Sequence, residues 1–174
     1  VQDGYLMMGA GATHTQIATS PLVQAHAPTF AALEGKLANA QVRNQGTLGG
    51  NLAYADPTTD PPGCLVAMRA EVVLSHASGS RRLPMSDFLV DYFETALRPD
   101  EMLTQICIPL GATDARTTYM RHLRTPADHR PMANVCVHTW TGDAGPQMQL
   151  VVAAATPMPW SLPVGMCFTL SGLV

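Results

Sequence analysis

Gln41-Val42-Arg43-Asn44-Gln45-Gly46-Thr47-Leu48-Gly49-Gly50-Asn51 is the stretch on which the reading of this chain turns. It is poor in apolar residues and rich in glycine and side-chain amides, and after 52–55 the residues Asp56, Pro57, Asp60, Pro61 and Pro62 extend the loop until apolar content resumes. The composition predicts a polar loop. Gly49 and Gly50 carry no Cβ, so a ligand can approach the main chain closely. They can also take φ > 0 conformations that aim successive N–H groups at an anion. Thr47 and Asn51 add hydrogen bonds of defined direction. No Lys follows the glycines, unlike a loop that holds a nucleoside triphosphate, so a diphosphate bound by neutral groups fits better. Asp60 stands where a carboxylate can accept hydrogen bonds from ribose or ribityl hydroxyls. A tight glycine turn, with aspartates shaping turns beside Pro57 and Pro61, explains the same residues without a ligand.

Outward from this stretch, residues 5–11 read as a short buried strand, and Thr13 or Thr15 as the cap of a short helix that Pro21 interrupts. A helix is predicted over 28–38, with Phe30, Leu33 and Leu37 on one face. Arg43 reads as a brace for the loop or the core. Downstream, 65–68 is expected as a helical turn and 70–74 as a strand, returned by 81–84 through a turn at 77–80. Residues 87–93 read as a short helix or loop with Phe88 and Phe93 pointing inward. Residues 103–108 alternate as a strand and stop at Pro109. From Gly111 the pattern becomes a meander, with strands expected over 117–123, 134–140 and 148–154. A domain boundary is placed near Gly111 and Thr113, giving units 1–112 and 113–174.

The chain has 174 residues, a formal net charge of −3, 13% charged and 47% apolar residues. That excludes a disordered tail and argues against a nucleic-acid binder, which normally shows a basic face. No run approaches the roughly 20 apolar residues of a membrane span, and no secretory leader is visible. Cys64, Cys107, Cys136 and Cys167 are scattered without C-x-x-C spacing, so reduced thiols and a cytoplasmic location are expected, with no metal bound. The tail 157–174 carries no charge and reads as covered or continued, and the start at Val1 reads as a fragment.

Gly9-Ala10-Gly11-Ala12-Thr13-His14, the run from Gln41 to Ala53, and Ala55-Asp56-Pro57 with Asp60 resemble the FAD-binding medium subunit of molybdenum hydroxylases. That is the xanthine dehydrogenase and carbon monoxide dehydrogenase family. Phe93-Glu94-Thr95-Ala96-Leu97, Pro99-Asp100-Glu101 and Ile106-Cys107-Ile108-Pro109 continue the match in order, over about residues 5–155. The resemblance implies an α+β chain: a vanillyl-alcohol-oxidase-like FAD-binding α/β subdomain, then a C-terminal flavoprotein domain with a three-stranded antiparallel sheet. It implies that Thr47, Leu48, Gly49, Gly50 and Asn51 form the family's second flavin loop, beside the diphosphate and ribityl chain. Asp60 becomes the ribityl-side acid, and Leu103 an aliphatic side chain near the flavin. Arg121 stands where many members carry Lys.

The cofactor implied on this chain is FAD. Molybdopterin and [2Fe-2S] clusters are implied on a large and a small partner subunit, in a heterotrimer or its dimer. Electrons would pass from those centres through FAD to an external acceptor such as NAD⁺, a quinone or oxygen, and no acid, base or nucleophile is implied here. The family's first FAD loop, an A-G-G run in a βαβ unit, is expected ahead of Tyr5 and has no counterpart, and the C-terminal helical part is expected to be shortened. Two other readings fit the residues: a structural or assembly module of such a complex, and a stand-alone FAD oxidase.

Overall fold

A computed structural model of the chain describes residues 1–111, 113–125, 127–143 and 145–162. Its first strand, β1 (Tyr5–Gly9), buries Leu6 and Met8 on one face, as the two-residue period of a strand requires. Thr13 ends the extended chain and caps α1 (His14–Thr19). Its hydroxyl accepts from the Gln16 N–H while the Gln16 side chain takes the Thr13 N–H, an exchange worth about 1 kcal/mol. Ser20 ends α1 and caps α2 (Pro21–His26), so Pro21 starts a helix rather than breaking one; its missing N–H is no loss at a first helical position. α3 (Pro28–Lys36) buries Phe30 and Leu33, with Leu37 buried just past its end. α1 is fastened to α3 by a buried pair, His14 Nδ1 to Glu34 Oε2 at 2.5 Å. Burial pushes the Glu34 carboxyl up, against the opposing pull of His14.

Three short helices follow: α4 (Ala40–Gln45), α5 (Leu48–Tyr54) and α6 (Pro61–Ala67). β2 (Glu71–His76) and β3 (Gly79–Pro84) form a hairpin. α7 (Met85–Phe88) leads into a small ribbon of β4 (Leu89–Asp91) and β5 (Glu94–Thr95). β6 (Met102–Pro109) then returns between β1 and β2, completing an antiparallel sheet of order β1-β6-β2-β3. A second antiparallel sheet contains β7 (Arg116–His122), β8 (Ala133–Gly142), β9 (Gly145–Ala153) and β10 (Trp160–Ser161), in the order β10-β9-β8-β7.

α6 joins the two. Every one of its residues is buried, and it packs against β8 and β9. The approach is so close that a Cβ on Gly63 would lie 2.8 Å from the Ala153 Cβ and 2.8 Å from Asn134 Oδ1. The apolar core runs without a break from Leu48, Leu65 and Val72 to Cys136 and Val151 of the second sheet. α5 docks with similar tightness at the end of β1: a Cβ on Gly49 would sit 2.5 Å from the Ala10 Cβ and 2.8 Å from the Ala10 carbonyl oxygen.

Several expectations are corrected. The expected three-stranded sheet has a fourth, short strand, β10, paired with β9. Pro61 and Pro62 open α6 instead of prolonging a loop. Phe88 is buried as expected, but Phe93 is 54% exposed. Its backbone takes φ 53°, and its N–H donates to the Ala55 carbonyl at 3.1 Å, which turns the ring outward against Tyr54, 5.1 Å between centroids. Cys64, Cys107 and Cys136 are free and buried, while Cys167 and the end of the uncharged tail lie outside the described residues. Among the described residues no helix is long and apolar enough to cross a membrane.

Arg81 closes the first sheet's edge. Its guanidinium meets Glu101 at 2.6 and 2.8 Å and the Ala96 carbonyl at 2.7 Å. The Arg81 hydrogen bonds hold the Glu101 carboxyl down to about 2, from an ordinary 4.5. A carboxylate depressed on folding stabilises the fold above its unfolded value, and that stabilisation is lost as pH falls through the folded one. Urea unfolding at stepped pH is therefore expected to show stability falling from about pH 4.5 to about pH 2, and Arg81→Met is expected to flatten that slope. Separately, Gly49→Ala is expected to cost about 2–3 kcal/mol, as overpacking does. Gly50→Ala, whose Cβ would meet the Thr47 hydroxyl at 3.0 Å, is expected to stay near neutral, since it gains about 1 kcal/mol of helix propensity. Denaturant midpoints of the two variants check this.

Candidate functional site

The stretch 40–51 is helical on both sides of Gly46 and is not a loop. Asn39 caps α4 through Oδ1, which accepts the Val42 N–H at 2.9 Å, and Thr47 caps α5 by accepting the Gly50 N–H at 3.1 Å. Gly49 and Gly50 accordingly take helical φ values; the described glycines at positive φ are Gly4, Gly79 and Gly145.

The expected cradle of inward N–H groups is therefore not what this turn forms. Leu48 donates to the Ala12 carbonyl at 3.0 Å, Gly49 to Ala10 at 2.8 Å and Asn51 to Thr47 at 3.0 Å. The first two dock α5 onto the chain leaving β1, and the third is the first helical bond of α5 itself. What remains toward solvent is the exposed backbone of Gly50 and the half-buried side chains of Thr47 and Asn51, with Leu48 and Gly49 buried beneath. Arg43 is a brace, its Nη1 donating to the Leu37 and Ala38 carbonyls at 2.8 and 3.0 Å.

From Asn51 the polar contacts run on. Its Oδ1 accepts from the Thr59 hydroxyl at 3.3 Å, and the next residue is Asp60. Ala55, in the left-handed region at φ 52°, ends α5 and starts the turn 55–60. Asp56 shapes this turn: Oδ1 accepts from the Thr58 N–H at 2.9 Å and the Thr58 hydroxyl at 2.7 Å, and Oδ2 from Arg130 Nη1 at 2.6 Å.

Asp60 is only 2% exposed. Its Oδ1 accepts from the Tyr119 hydroxyl and its Oδ2 from Arg121 Nη1 at 3.0 Å. Strand alternation sets Tyr119 and Arg121 on one face of β7, so a single strand delivers both donors. Burial pushes the Asp60 carboxyl up, while Tyr119 and Arg121 pull it down. Burial and the Asp60 charge push the Tyr119 hydroxyl well up, which keeps it a proton donor.

A cleft of about 430 Å³ opens beside this cluster, between α3 and β7. Asp60, Tyr119, Arg121 and Lys36 give it polar walls, and Ala32 and Leu33 an apolar one. The Thr29 hydroxyl ties its walls together by donating to the Thr117 carbonyl at 2.7 Å. The volume is on the scale of a small-ligand site. A wider groove of about 930 Å³ lies near His138 and Trp140, but the Trp140 ring is already covered by Arg69, 5.0 Å from its centroid, and His138, at 5.3 Å.

Of the residues expected from the sequence, Asp60 and Arg121 meet at this cleft. Thr47–Asn51 do not line it and connect to it through the Asn51–Thr59 contact. Leu103 is 7% exposed within β6, opposite Leu74 of β2. Tyr119, Lys36 and Arg130 were missed. Tyr119 had a signal, since it shares a strand face with Arg121; Arg130 had none, because its partner lies 74 residues away.

Residues 1–111 match the family described as the FAD binding domain in molybdopterin dehydrogenase. The carbon monoxide dehydrogenase medium chain of Hydrogenophaga pseudoflava is 28% identical over 152 residues, 87% of this chain and 53% of that one. The nicotine 6-hydroxylase medium subunit of Paenarthrobacter nicotinovorans is 34% identical over 140 residues, 80% of this chain and 48% of that one. A solved carbon monoxide dehydrogenase from Hydrogenophaga pseudoflava, lacking the Mo-pyranopterin moiety of its cofactor, superposes with a TM-score of 0.84 at 26% identity, over 92% of this chain and 56% of that one. Its mixed helix and antiparallel-sheet fold is the fold seen here. The chain spans about half the length of the curated relatives it matches. With more than half of its 174 residues inside the family match, the chain belongs to the FAD binding domain family of the molybdopterin dehydrogenases.

Proposed function

We propose that this chain holds FAD in a molybdenum hydroxylase and carries electrons between the metal centres of partner subunits and an external acceptor. Family membership supports the cofactor. The observation that carries the site is a buried carboxylate, Asp60, gripped by Tyr119 and Arg121 at the edge of a cleft of about 430 Å³.

The residues fit the ribityl and ring end of FAD. Each Asp60 oxygen accepts one bond and keeps a second lone pair, which a ribityl hydroxyl can use. Ala32 and Leu33 suit a flat apolar ring, and Lys36 and Arg121 bring positive charge toward a ligand that carries two phosphates. The turn Thr47, Leu48, Gly49, Gly50 and Asn51 serves the diphosphate side through the Thr47 hydroxyl, the Asn51 amide and the bare Gly50 backbone. Free N–H donors from 48–51 are not its contribution, because those amides are spent on docking α5 and on its first turn. Leu103, buried in β6 and outside the cleft lining, is assigned to the apolar surroundings of the flavin by the family resemblance alone.

When bound, FAD supplies the redox chemistry, and the protein supplies binding, orientation and electrostatics. No side chain is assigned as acid, base or nucleophile. The partners under this reading are a large molybdopterin-binding subunit and a small [2Fe-2S] subunit, in a heterotrimer or its dimer. The relatives named as medium chains support that assignment.

Titration of the protein at its natural length with FAD, read by flavin fluorescence, is expected to saturate below millimolar concentration. Asp60→Ala is expected to raise Kd at least about tenfold, equivalent to about 1.4 kcal/mol, with Arg121→Lys closer to wild type because the charge beside Asp60 is kept. An absence of saturation would favour the assembly-module reading, and flavin travelling with a lone monomer in gel filtration would favour the stand-alone oxidase.

A further inference from the structure

We propose that Arg130 is a positioning residue for this site: reaching over from the β7–β8 connection, it fixes the turn 55–60 and thereby the aim of the Asp60 carboxylate. The proposal rests on reading the Asp60 cleft as the FAD site. Asp56 does not line that cleft, yet it is 3% exposed and ionisable. Its Oδ1 is satisfied locally by Thr58, at 2.9 Å from the N–H and 2.7 Å from the hydroxyl, the ordinary use of an aspartate in a turn. Its Oδ2 is met from far along the chain by Arg130 Nη1 at 2.6 Å, and the same nitrogen lies 3.1 Å from the Thr58 hydroxyl.

The two partners differ sharply in exposure: the Asp56 side chain is 4% exposed and that of Arg130 69%. Most exposed ion pairs contribute little. Here a solvent-side cation compensates a carboxylate that solvent barely reaches, and a buried charge left without its partner is strongly unfavourable. The turn keeps this shape while the connection lies against it.

The turn transmits that constraint to Asp60. The Asp56 carbonyl accepts the Thr59 N–H at 3.2 Å and the Thr59 hydroxyl at 3.0 Å, and Thr59 immediately precedes Asp60. Within the described residues of the connection, the Thr125 N–H donates to Asp128 Oδ2 at 2.9 Å and the Met132 N–H to the His122 carbonyl at 2.9 Å. Tyr119 and Arg121, which hold Asp60 directly, stand on the strand that leads into this connection. One hairpin therefore grips the turn at both ends, at Asp56 and at Asp60. Ligand-contacting groups need positions fixed to about 0.5 Å by the residues around them.

The test uses the flavin-loaded protein at its natural length and compares Arg130→Met, Arg130→Lys, Asp56→Asn and the Arg130→Met/Asp56→Asn double variant. Arg130→Met is expected to raise the FAD Kd about tenfold and to alter the visible circular dichroism of the bound flavin, with Arg130→Lys restoring most of both. If the residue acts through Asp56, the double variant binds no worse than either single one. Wild-type Kd and visible dichroism in Arg130→Met would overturn the proposal. Should that variant fold poorly, Asp56→Asn, which keeps the Thr58 contacts and loses the ion pair, decides in the same way. Asp60→Ala separates the two readings. Flavin binding unaffected by Asp60→Ala removes the FAD reading of the cleft. Binding lost with Asp60→Ala but unchanged with Arg130→Met leaves that reading standing and removes only the positioning role.

Discussion

The Asp60 carboxylate sits where the first sheet's helices meet the second sheet, and the rest of the arrangement depends on its being satisfied there. A carboxylate with 2% exposure is tolerated only with good partners, and both partners, Tyr119 and Arg121, come from β7. Removing one member of such a buried pair costs about 3–5 kcal/mol in well-studied cases, because the charge left behind stays buried without a partner. The local sequence explains why Asp60 is available. It occupies the N-cap of α6 yet makes no cap bond. Pro61 and Pro62 have no N–H to offer, so the carboxylate has little to cap in its own helix and turns to the neighbouring sheet instead.

The same economy of small residues explains the glycines. Gly49 is bare because α5 runs onto the Ala10 backbone, and Gly63 because α6 runs onto Asn134 and Ala153. Neither adopts a positive φ. Close helix packing, and not conformational freedom, makes these positions glycine. With these amides used in docking and capping α5, the turn presents its side chains and the exposed Gly50 backbone to solvent. The electrostatic weight of the site lies with Asp60, Arg121 and Lys36.

Much of the fold was legible in the sequence. The strands at β1, β2 and β6 and the meander of β7, β8 and β9 follow from alternation and turn residues, and α3 follows from its Phe30–Leu33–Leu37 face. The stretch 40–51 was misread because its composition says loop while its caps say helix. Asn39 three residues before Val42, and Thr47 three before Gly50, are cap spacings that outweigh a run of glycine and amides. Phe93 reads as inward from its residue type and lies outward, since the contact that turns it comes from Ala55. Of the candidate residues that the family resemblance names, Asp60 and Arg121 line the cleft, and the arrangement that joins them was not legible. The Asp60–Arg121 contact spans 61 residues and the Asp56–Arg130 contact 74, and no local pattern encodes either.

These long contacts make the candidate site a property of the docked hairpin and not of the helical layer alone. A ligand that binds the assembled site and not the undocked form stabilises the assembled one in proportion to the logarithm of its concentration over its Kd. Where Asp60 receives the ribityl chain, as proposed, flavin binding and docking of the second sheet become one equilibrium, because the strand that supplies Tyr119 and Arg121 is continuous with the connection that supplies Arg130. Loosening the hairpin releases both grips on the turn 55–60 together. The carboxylates at 56 and 60 then exchange their counter-charges for water in the same motion. The common hairpin, and not either ion pair alone, couples the two carboxylates.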